Sequence, residues 1–145
     1  MRALHSPEGL GDRLRLVAFA ERQAFNAFTH AAEFYTDAPP GLTEAWKWVA
    51  QEEAKHESWL VKRLEELGQE LCAVPVNLNL YHSLVNCQSA REFSLYVSDA
   101  EDRGRIGAEK FAEVLAQRDP VTASIFQQIA LEELEHIKLV ERFFS

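Results

Sequence analysis

The sequence contains the same pattern of glutamate and histidine twice. In each copy a glutamate is followed 32 positions later by a Glu-x-x-His motif, and the second copy lies 80 positions after the first. The residues concerned are Glu21, Glu53 and His56 in the first copy, and Glu101, Glu133 and His136 in the second. An internal repeat of this kind predicts two similar helical hairpins, related by an approximate two-fold axis, that pack against each other.

Apolar residues at helical spacing predict four helices. No stretch shows the sustained alternation of a half-buried strand, so the sequence indicates an all-α fold. The first helix is predicted from about Leu10 to Tyr35. Pro39 and Pro40 suit the first turn of a second helix, where their missing amide protons would be unpaired anyway, and Gly68 is a suitable C-cap at its end.

The second half of the chain carries start signals for two further helices. The segment from Ser89 to Glu92 matches a capping box, and Asp119 followed by Pro120 suits the N-cap and first position of the last helix. Residues 69–88, between the two halves, lack a helical pattern. About twenty residues, at roughly 3.3 Å each, can run the full length of a bundle, so helices 2 and 3 can be parallel.

We therefore predict one domain over residues 1–145. It is a four-helix bundle with hairpins at about 10–68 and 89–145 and a long crossover at 69–88 between helices 2 and 3. The six repeat residues fall on the apolar stripes of their helices, which are expected to face the core. Counted from the turns, at about 1.5 Å per residue, they lie at similar depths. Four carboxylates and two imidazoles are thus predicted to meet in one layer.

Such a layer predicts a pair of metal ions. Four carboxylates packed together inside a protein repel each other strongly, and two divalent cations would neutralise them. One glutamate from each of two helices plus Glu-x-x-His from the other two is the di-iron or di-manganese carboxylate pattern. The three-residue step within Glu-x-x-His places both side chains on one face, so they can bind the same ion. We expect two iron ions, with manganese as the alternative and zinc as an in vitro substitute.

A single Glu-x-x-His motif would not support this interpretation. In an acidic helical protein one copy is usually part of a solvated face. Two copies together with two matched glutamates at core positions favour metal binding, because polar residues at such positions ordinarily have a function. The neighbouring glutamates lie beside the apolar stripes and are predicted to be surface or flanking groups; they are Glu52, Glu57, Glu132 and Glu135.

Charge and composition exclude several kinds of partner. The chain has 15 Lys and Arg against 23 Asp and Glu, a formal net charge of −8, which argues against a nucleic-acid partner. The N-terminus lacks the apolar run of a secretory signal, and no segment has the length of a membrane span. We therefore expect a cytoplasmic protein without a membrane partner, in which Cys72 and Cys87 are free thiols.

The chain resembles the ferritin-like superfamily over nearly its whole length, and most closely a bacterial ferritin-like family known only as a domain of unknown function. The resemblance rests on Glu21 with Ala24, the turn Thr36-Asp37-Ala38-Pro39, Glu52-Glu53-x-x-His56, Leu67-Gly68 followed by Val74-Pro75-Val76, Glu101-x-x-Gly104, and Glu132-Glu133-x-x-His136. The roles that the resemblance implies are terminal ligands for Glu21 and Glu101, bridging ligands for Glu53 and Glu133, and one ion each for His56 and His136.

The leading functional hypothesis is an oxidoreductase in which a reduced metal pair reacts with dioxygen or peroxide and an unknown small molecule. The sequence identifies no catalytic residue beyond the six candidate ligands. Three alternatives stay open: ferritin-like oxidation and storage of iron, an enzyme similar to tRNA hydroxylase, and a structural or regulatory bundle that its metals hold together. The acidic balance counts against the tRNA-hydroxylase alternative. A homodimer is compatible with the sequence.

Overall fold

The computed structural model describes residues 2–71 and 78–144. Within these ranges the chain forms five α-helices and no strand: α1 (Pro7–Phe34), α2 (Leu42–Glu66), α3 (Asn79–Val85), α4 (Ala90–Leu115) and α5 (Pro120–Glu141). The all-α prediction is therefore confirmed. None of the helices in the described ranges combines the length and apolar character that a bilayer span requires.

The first two helices begin at positions that the sequence signals only partly predicted. α1 starts three residues before the predicted Leu10, because the side chain of Ser6 accepts a hydrogen bond from the Gly9 amide at 3.0 Å and acts as the N-cap. α2 starts at Leu42, so Pro39 and Pro40 lie in the turn before it and not in its first turn as predicted. The reason is the left-handed conformation of the intervening Gly41, whose φ of 88° is incompatible with a helix that includes the prolines.

The start signals of the last two long helices are confirmed. Ser89 is the N-cap of α4, and its hydroxyl accepts a hydrogen bond from the Glu92 amide at 3.0 Å. Asp119 is the N-cap of α5, with Pro120 in the first position of the helix. Short turns join α1 to α2 and α4 to α5, and these connections give the two hairpins of the prediction.

The two ends of the crossover between the hairpins lie at opposite ends of the bundle. At one end, Arg15 near the start of α1 donates a hydrogen bond to the Gln69 side chain at 2.9 Å. At the other end, the Tyr35 hydroxyl donates to the Cys87 carbonyl at 2.7 Å, and the Ala90 amide donates to Asp37 at 3.2 Å. α4 therefore begins at the same end of the bundle as α2, so the predicted parallel arrangement of these helices is confirmed.

The crossover also contains a helix that the sequence did not predict. α3 has only seven residues, too few to establish a helical period, and it packs on the bundle through Leu80, Tyr81 and the fully buried Leu84. The Tyr81 amide ties α3 to α1 by donating to the Gln23 side chain at 2.9 Å. Cys87, just beyond α3, is a buried free thiol, whereas Cys72 and the Val74–Val76 segment lie outside the described residues.

The apolar core consists of two clusters at opposite ends of the bundle. One is built around aromatic side chains, with Phe28 and Trp46 each making edge-to-face contacts with Phe93 at ring distances of 5.6 and 5.4 Å. The other is centred on Leu60 and Phe126. Along each of the four long helices, the repeat residues fall between members of the two clusters. A polar layer therefore divides the core at mid-height.

A polar network joins the hairpins beyond the second cluster. Arg63, near the end of α2, donates hydrogen bonds to Asp119 at 3.0 Å and to the Thr122 hydroxyl at 2.9 Å. Asp119 in turn accepts from the Thr122 amide at 3.1 Å as the N-cap of α5. One carboxylate thus serves both as a helix cap and as an anchor between the two halves.

We expect Asp119→Ala to lower the free energy of unfolding by about 1–2 kcal/mol, because the variant loses a helix cap and leaves the part-buried Arg63 with only the more exposed Glu66 as a carboxylate partner among the described residues. Urea denaturation followed by circular dichroism measures the change. Asp99→Ala is the matched control, since Asp99 is 73% exposed in mid-helix and its ion pair among the described residues is with the exposed Arg103. Equal losses in the two variants would contradict the anchoring role of Asp119.

Candidate metal centre

The polar layer consists of all six residues that the repeat singled out. Each of the four long helices contributes: α1 and α4 carry one glutamate each, and α2 and α5 carry a Glu-x-x-His motif each. None of the six is more than 8% exposed, and the residues are Glu21, Glu53, His56, Glu101, Glu133 and His136. The three-residue step in each motif turns both side chains toward the bundle axis, since it is close to one helical turn.

The six side chains form two overlapping groups that could each hold a metal ion. The first group is Glu21, Glu53, His56 and Glu133, and the second is Glu53, Glu101, Glu133 and His136. Within each group, one donor atom from every residue lies within 4.8 Å of the others. Each group therefore offers three carboxylates and one imidazole, and Glu53 and Glu133 belong to both.

The two imidazoles reach across between the hairpins. His56 Nδ1 lies 3.2 Å from Glu133 Oε1, and His136 Nδ1 lies 2.9 Å from Glu53 Oε1. The rings are stacked, with centroids 5.7 Å apart. The Nδ1 atom of each histidine thus faces the carboxylates, and this exchange of partners follows the two-fold relation that the sequence repeat predicted.

Burial and mutual repulsion control the protonation of the cluster. Burial raises the pKa values of Glu53, Glu101 and Glu21, and the neighbouring charge of Glu133 raises them further. For Glu133 itself burial acts in the same direction, but the adjacent imidazoles outweigh it and hold its pKa well below the usual range. Burial would lower the pKa of His56, but Glu133 and Glu21 raise it to about 10. Without cations, the layer is therefore tolerable only by retaining protons.

The donor set fits divalent cations. Three buried carboxylate oxygens, one each from Glu21, Glu101 and Glu133, have no hydrogen-bond partner among the described residues. Leaving such atoms unpaired in a protein interior is costly, and a cation would satisfy them. Mixed carboxylate and imidazole donors of this number suit iron or manganese. Whether the six residues do ligate metal stays a prediction.

Further charged groups, outside the polar layer, surround His56. His56 Nε2 lies 3.1 Å from Glu132 Oε1, and Lys55 bridges Glu132 at 2.7 Å and Glu52 at 2.9 Å. Glu52 is the repeat counterpart of Glu132, yet His136 Nε2 has no hydrogen-bond partner within the described part of the chain. Glu132 was predicted as a surface or flanking group, and its contact with His56 was missed. In both copies of the repeat a further glutamate directly precedes the Glu-x-x-His motif, and this recurrence was the signal in the sequence that could have identified the contact.

Two tryptophans flank the imidazoles. The Trp48 ring meets His136 edge-on at 5.5 Å, and the Trp59 ring lies 5.3 Å from His56. Lys55 Nζ lies 5.2 Å from the centre of the Trp59 ring, within cation–π range. Both aromatic rings shield the histidine side of the layer from water.

The bundle and its buried glutamate and histidine cluster define a ferritin-like protein. The chain belongs to the family described as "Protein of unknown function (DUF455)", which it matches over residues 1–145. Both levels of the resemblance stated from the sequence are thereby confirmed.

The fold is also similar to that of a solved structure. That structure is the bacterioferritin-related protein from Bacteroides fragilis, described as a dodecameric thioferritin. The alignment has a TM-score of 0.79 and 20% sequence identity and covers 96% of this chain and 86% of that chain. No curated protein sequence matches the chain significantly.

We expect the metal-free protein to lose thermal stability as the pH rises from 4.5, the ordinary carboxyl pKa, toward about 10, the raised pKa of His56. Glu21, Glu53 and Glu101 have raised pKa values in the folded state, so their stabilising contribution is complete below 4.5 and is lost as they ionise. The protonated form of His56 adds stability that is lost as the pH approaches 10. Circular dichroism melting of chelator-treated protein measures the trend.

Glu101→Gln is the control for this prediction. The variant removes one ionisable group from the layer while keeping its size, so we expect a shallower decline and a higher melting temperature at the alkaline end. A melting temperature of the unmodified protein that is constant or rises across this range would show that the carboxylates are not protonated by burial.

Proposed function

We propose that the protein is a dinuclear metal carboxylate protein, with two iron ions as the metal pair, and that it is an oxidoreductase acting with dioxygen or peroxide. The observation that carries the proposal is the overlap of the two candidate groups at Glu53 and Glu133. Carboxylates common to two groups of donors suit a metal pair better than two independent sites.

In this proposal each residue has a defined part. Glu21 and His56 would hold one ion, Glu101 and His136 would hold the other, and Glu53 and Glu133 would contribute to both sites. Four ionised carboxylates would balance the charge of two divalent cations, which would remove the repulsion that, together with burial, raises the pKa values of Glu21, Glu53 and Glu101. When bound in the ferrous state, the metal pair supplies electrons for the reduction of dioxygen or peroxide.

The surrounding residues prepare the layer for this chemistry. The apolar clusters above and below the layer exclude water, and Trp48 and Trp59 do so on the histidine side. The carboxylate of Glu132 accepts a hydrogen bond from the Nε2–H of His56, which fixes the tautomer with Nδ1 free to face a cation. Lys55 keeps Glu132 ionised, since its ammonium group contributes to the lowered pKa of that carboxyl, about 2.

We expect elemental analysis of the purified protein to find about two iron ions per chain, as the donor set predicts. Glu53→Ala and His56→Ala should lose most of the metal, because each removes a donor from a group of four. Glu135→Ala is the matched control, since this exposed glutamate adjoins His136 but lies outside both groups. Unchanged metal content in Glu53→Ala would refute the proposed centre.

Stopped-flow absorbance separates an enzyme from a structural metal protein. The ferrous protein is mixed with oxygen or with peroxide, and oxidation of the metal pair is followed in time. Oxidation on mixing supports the proposed reactivity. If the metal stays ferrous in both mixtures, the ions have a structural role and the oxidoreductase proposal is wrong.

Iron storage is the second candidate, and the similarity to a dodecameric thioferritin favours it. Storage requires a closed shell of many subunits, so the assembly state distinguishes the two functions. Size-exclusion chromatography with light scattering measures it. A monomer or dimer excludes the storage function, whereas a dodecamer that retains many iron atoms per chain supports it over the oxidoreductase.

We expect Glu132→Gln to weaken metal binding by roughly 10- to 100-fold, as removal of a carboxylate partner from a ligating histidine typically does. The control is Glu52→Gln, which changes the equivalent position of the other motif, where no contact with His136 is made. Competition with a chelator of known affinity measures both variants. Equal effects would show that Glu132 acts only through its surface charge.

A further inference from the structure

A cavity of about 250 Å³ lies against the carboxylate layer. It lies between α1 and α4, which make few direct contacts with each other; side chains of α3 bound it on one side, and it is open to solvent beside the exposed Gly104. Its floor is formed by the four glutamates of the layer, whereas neither His56 nor His136 lines it. The cavity is therefore on the face of the layer opposite the imidazoles.

The walls of the cavity are apolar. Val17, Leu84, Val97, Phe111 and Ile129 are the main wall residues, and they come from α1, α3, α4 and α5. Beyond the carboxylates, the lining residues in the described part of the chain include one other charged residue, Arg103, which is 64% exposed and paired with Asp99 on α4. The apolar walls thus favour a ligand with a hydrocarbon-like surface over an ion or a sugar.

Two glycines keep the cavity open. Gly104 and Gly107 both line it, and a Cβ atom built at either position would meet no other atom within 4 Å. Glycine inside a helix costs about 1 kcal/mol relative to alanine, and no close contact of α4 requires it at these positions. Larger side chains at either glycine would extend into the space above the carboxylates.

Buried polar atoms at the floor independently indicate a site. The side chains of Glu21, Glu101 and Glu133 are at least nine-tenths buried, line the cavity, and each have an oxygen without a hydrogen-bond partner in the described ranges. The opening that the glycines leave therefore ends on the groups that would hold the metal pair. This arrangement gives a bound molecule direct access to the layer.

We propose that this cavity binds a small, uncharged, predominantly apolar molecule. That this molecule is the substrate of the metal centre rests on the function proposed above. A cavity of 150 Å³ holds benzene, so 250 Å³ accommodates roughly ten non-hydrogen atoms. An anionic ligand is disfavoured in the metal-free protein, because its charge would face the carboxylates at the floor.

The test uses a monofluorinated naphthalene as the probe and fluorine NMR as the readout, on the full chain before and after treatment with a chelator. We expect one probe molecule to bind per chain. Gly104→Leu should weaken binding by at least about tenfold, because the leucine side chain occupies space that the probe needs. Gly104→Ala is the control at the same position, since its single methyl group meets open space and should leave binding nearly unchanged.

Three results would overturn the inference. The first is that the unmodified protein does not bind the probe, and the second is that Gly104→Leu binds it as tightly as the unmodified protein does. The third is that the chelator-treated protein binds a fluorinated naphthalene with a carboxylate group as tightly as it binds the uncharged probe. Melting temperatures of both variants establish that each is folded, and replacing a helical glycine is expected to raise them.

Metal analysis of the same samples separates this inference from the proposed function. If the unmodified protein binds the probe, Gly104→Leu does not, and the samples contain no iron, the apolar site is retained and the metal proposal fails. A protein with two iron ions per chain and no probe binding retains the metal centre and loses the apolar site.

Discussion

The structure depends on four carboxylates being held together inside a small helical bundle. Each of the four long helices contributes one of them to a layer at mid-height, and the apolar clusters on either side bury that layer. The clusters determine how close the helices come, and therefore how strongly the carboxylates repel. Protons and the imidazoles of His56 and His136 relieve this repulsion only in part, which is why the layer is suited to cations.

The sequence repeat produces near-symmetry in the layer but not around it. Both histidines approach the shared glutamate of the opposite hairpin, as a two-fold relation requires. Outside the layer, Lys55 has no basic counterpart, because the equivalent residue of the second motif is Glu135. Lys55 joins Glu52 to Glu132, so His56 has a charged partner on its outer nitrogen and His136 has none among the described residues. The two ends of a metal pair would therefore differ electronically.

Most of the fold and the candidate ligands could be predicted, because both are encoded in regular spacing. Helical period, caps such as Asp119 and the repeat are local signals that tertiary contacts did not override. The misses have different causes. α3 is too short to show a period, Gly41 rather than the prolines sets the start of α2, and the contact of Glu132 with His56 joins two helices far apart in sequence. The glycine pattern at Gly104 could not indicate a cavity, since the facing wall belongs to α1.

The contacts at the two ends of the crossover have a further consequence. Arg15 holds one end beside the start of α1, and Asp37 holds the other by accepting a hydrogen bond from the first amide of α4. The second hairpin is thereby fixed in axial register with the first. A slip of a single residue would shift Glu101 by about 1.5 Å along the axis and misalign its carboxylate with those of α1 and α2. Contacts at the ends of the bundle, away from the layer, thus set the precision with which the two halves of the layer meet.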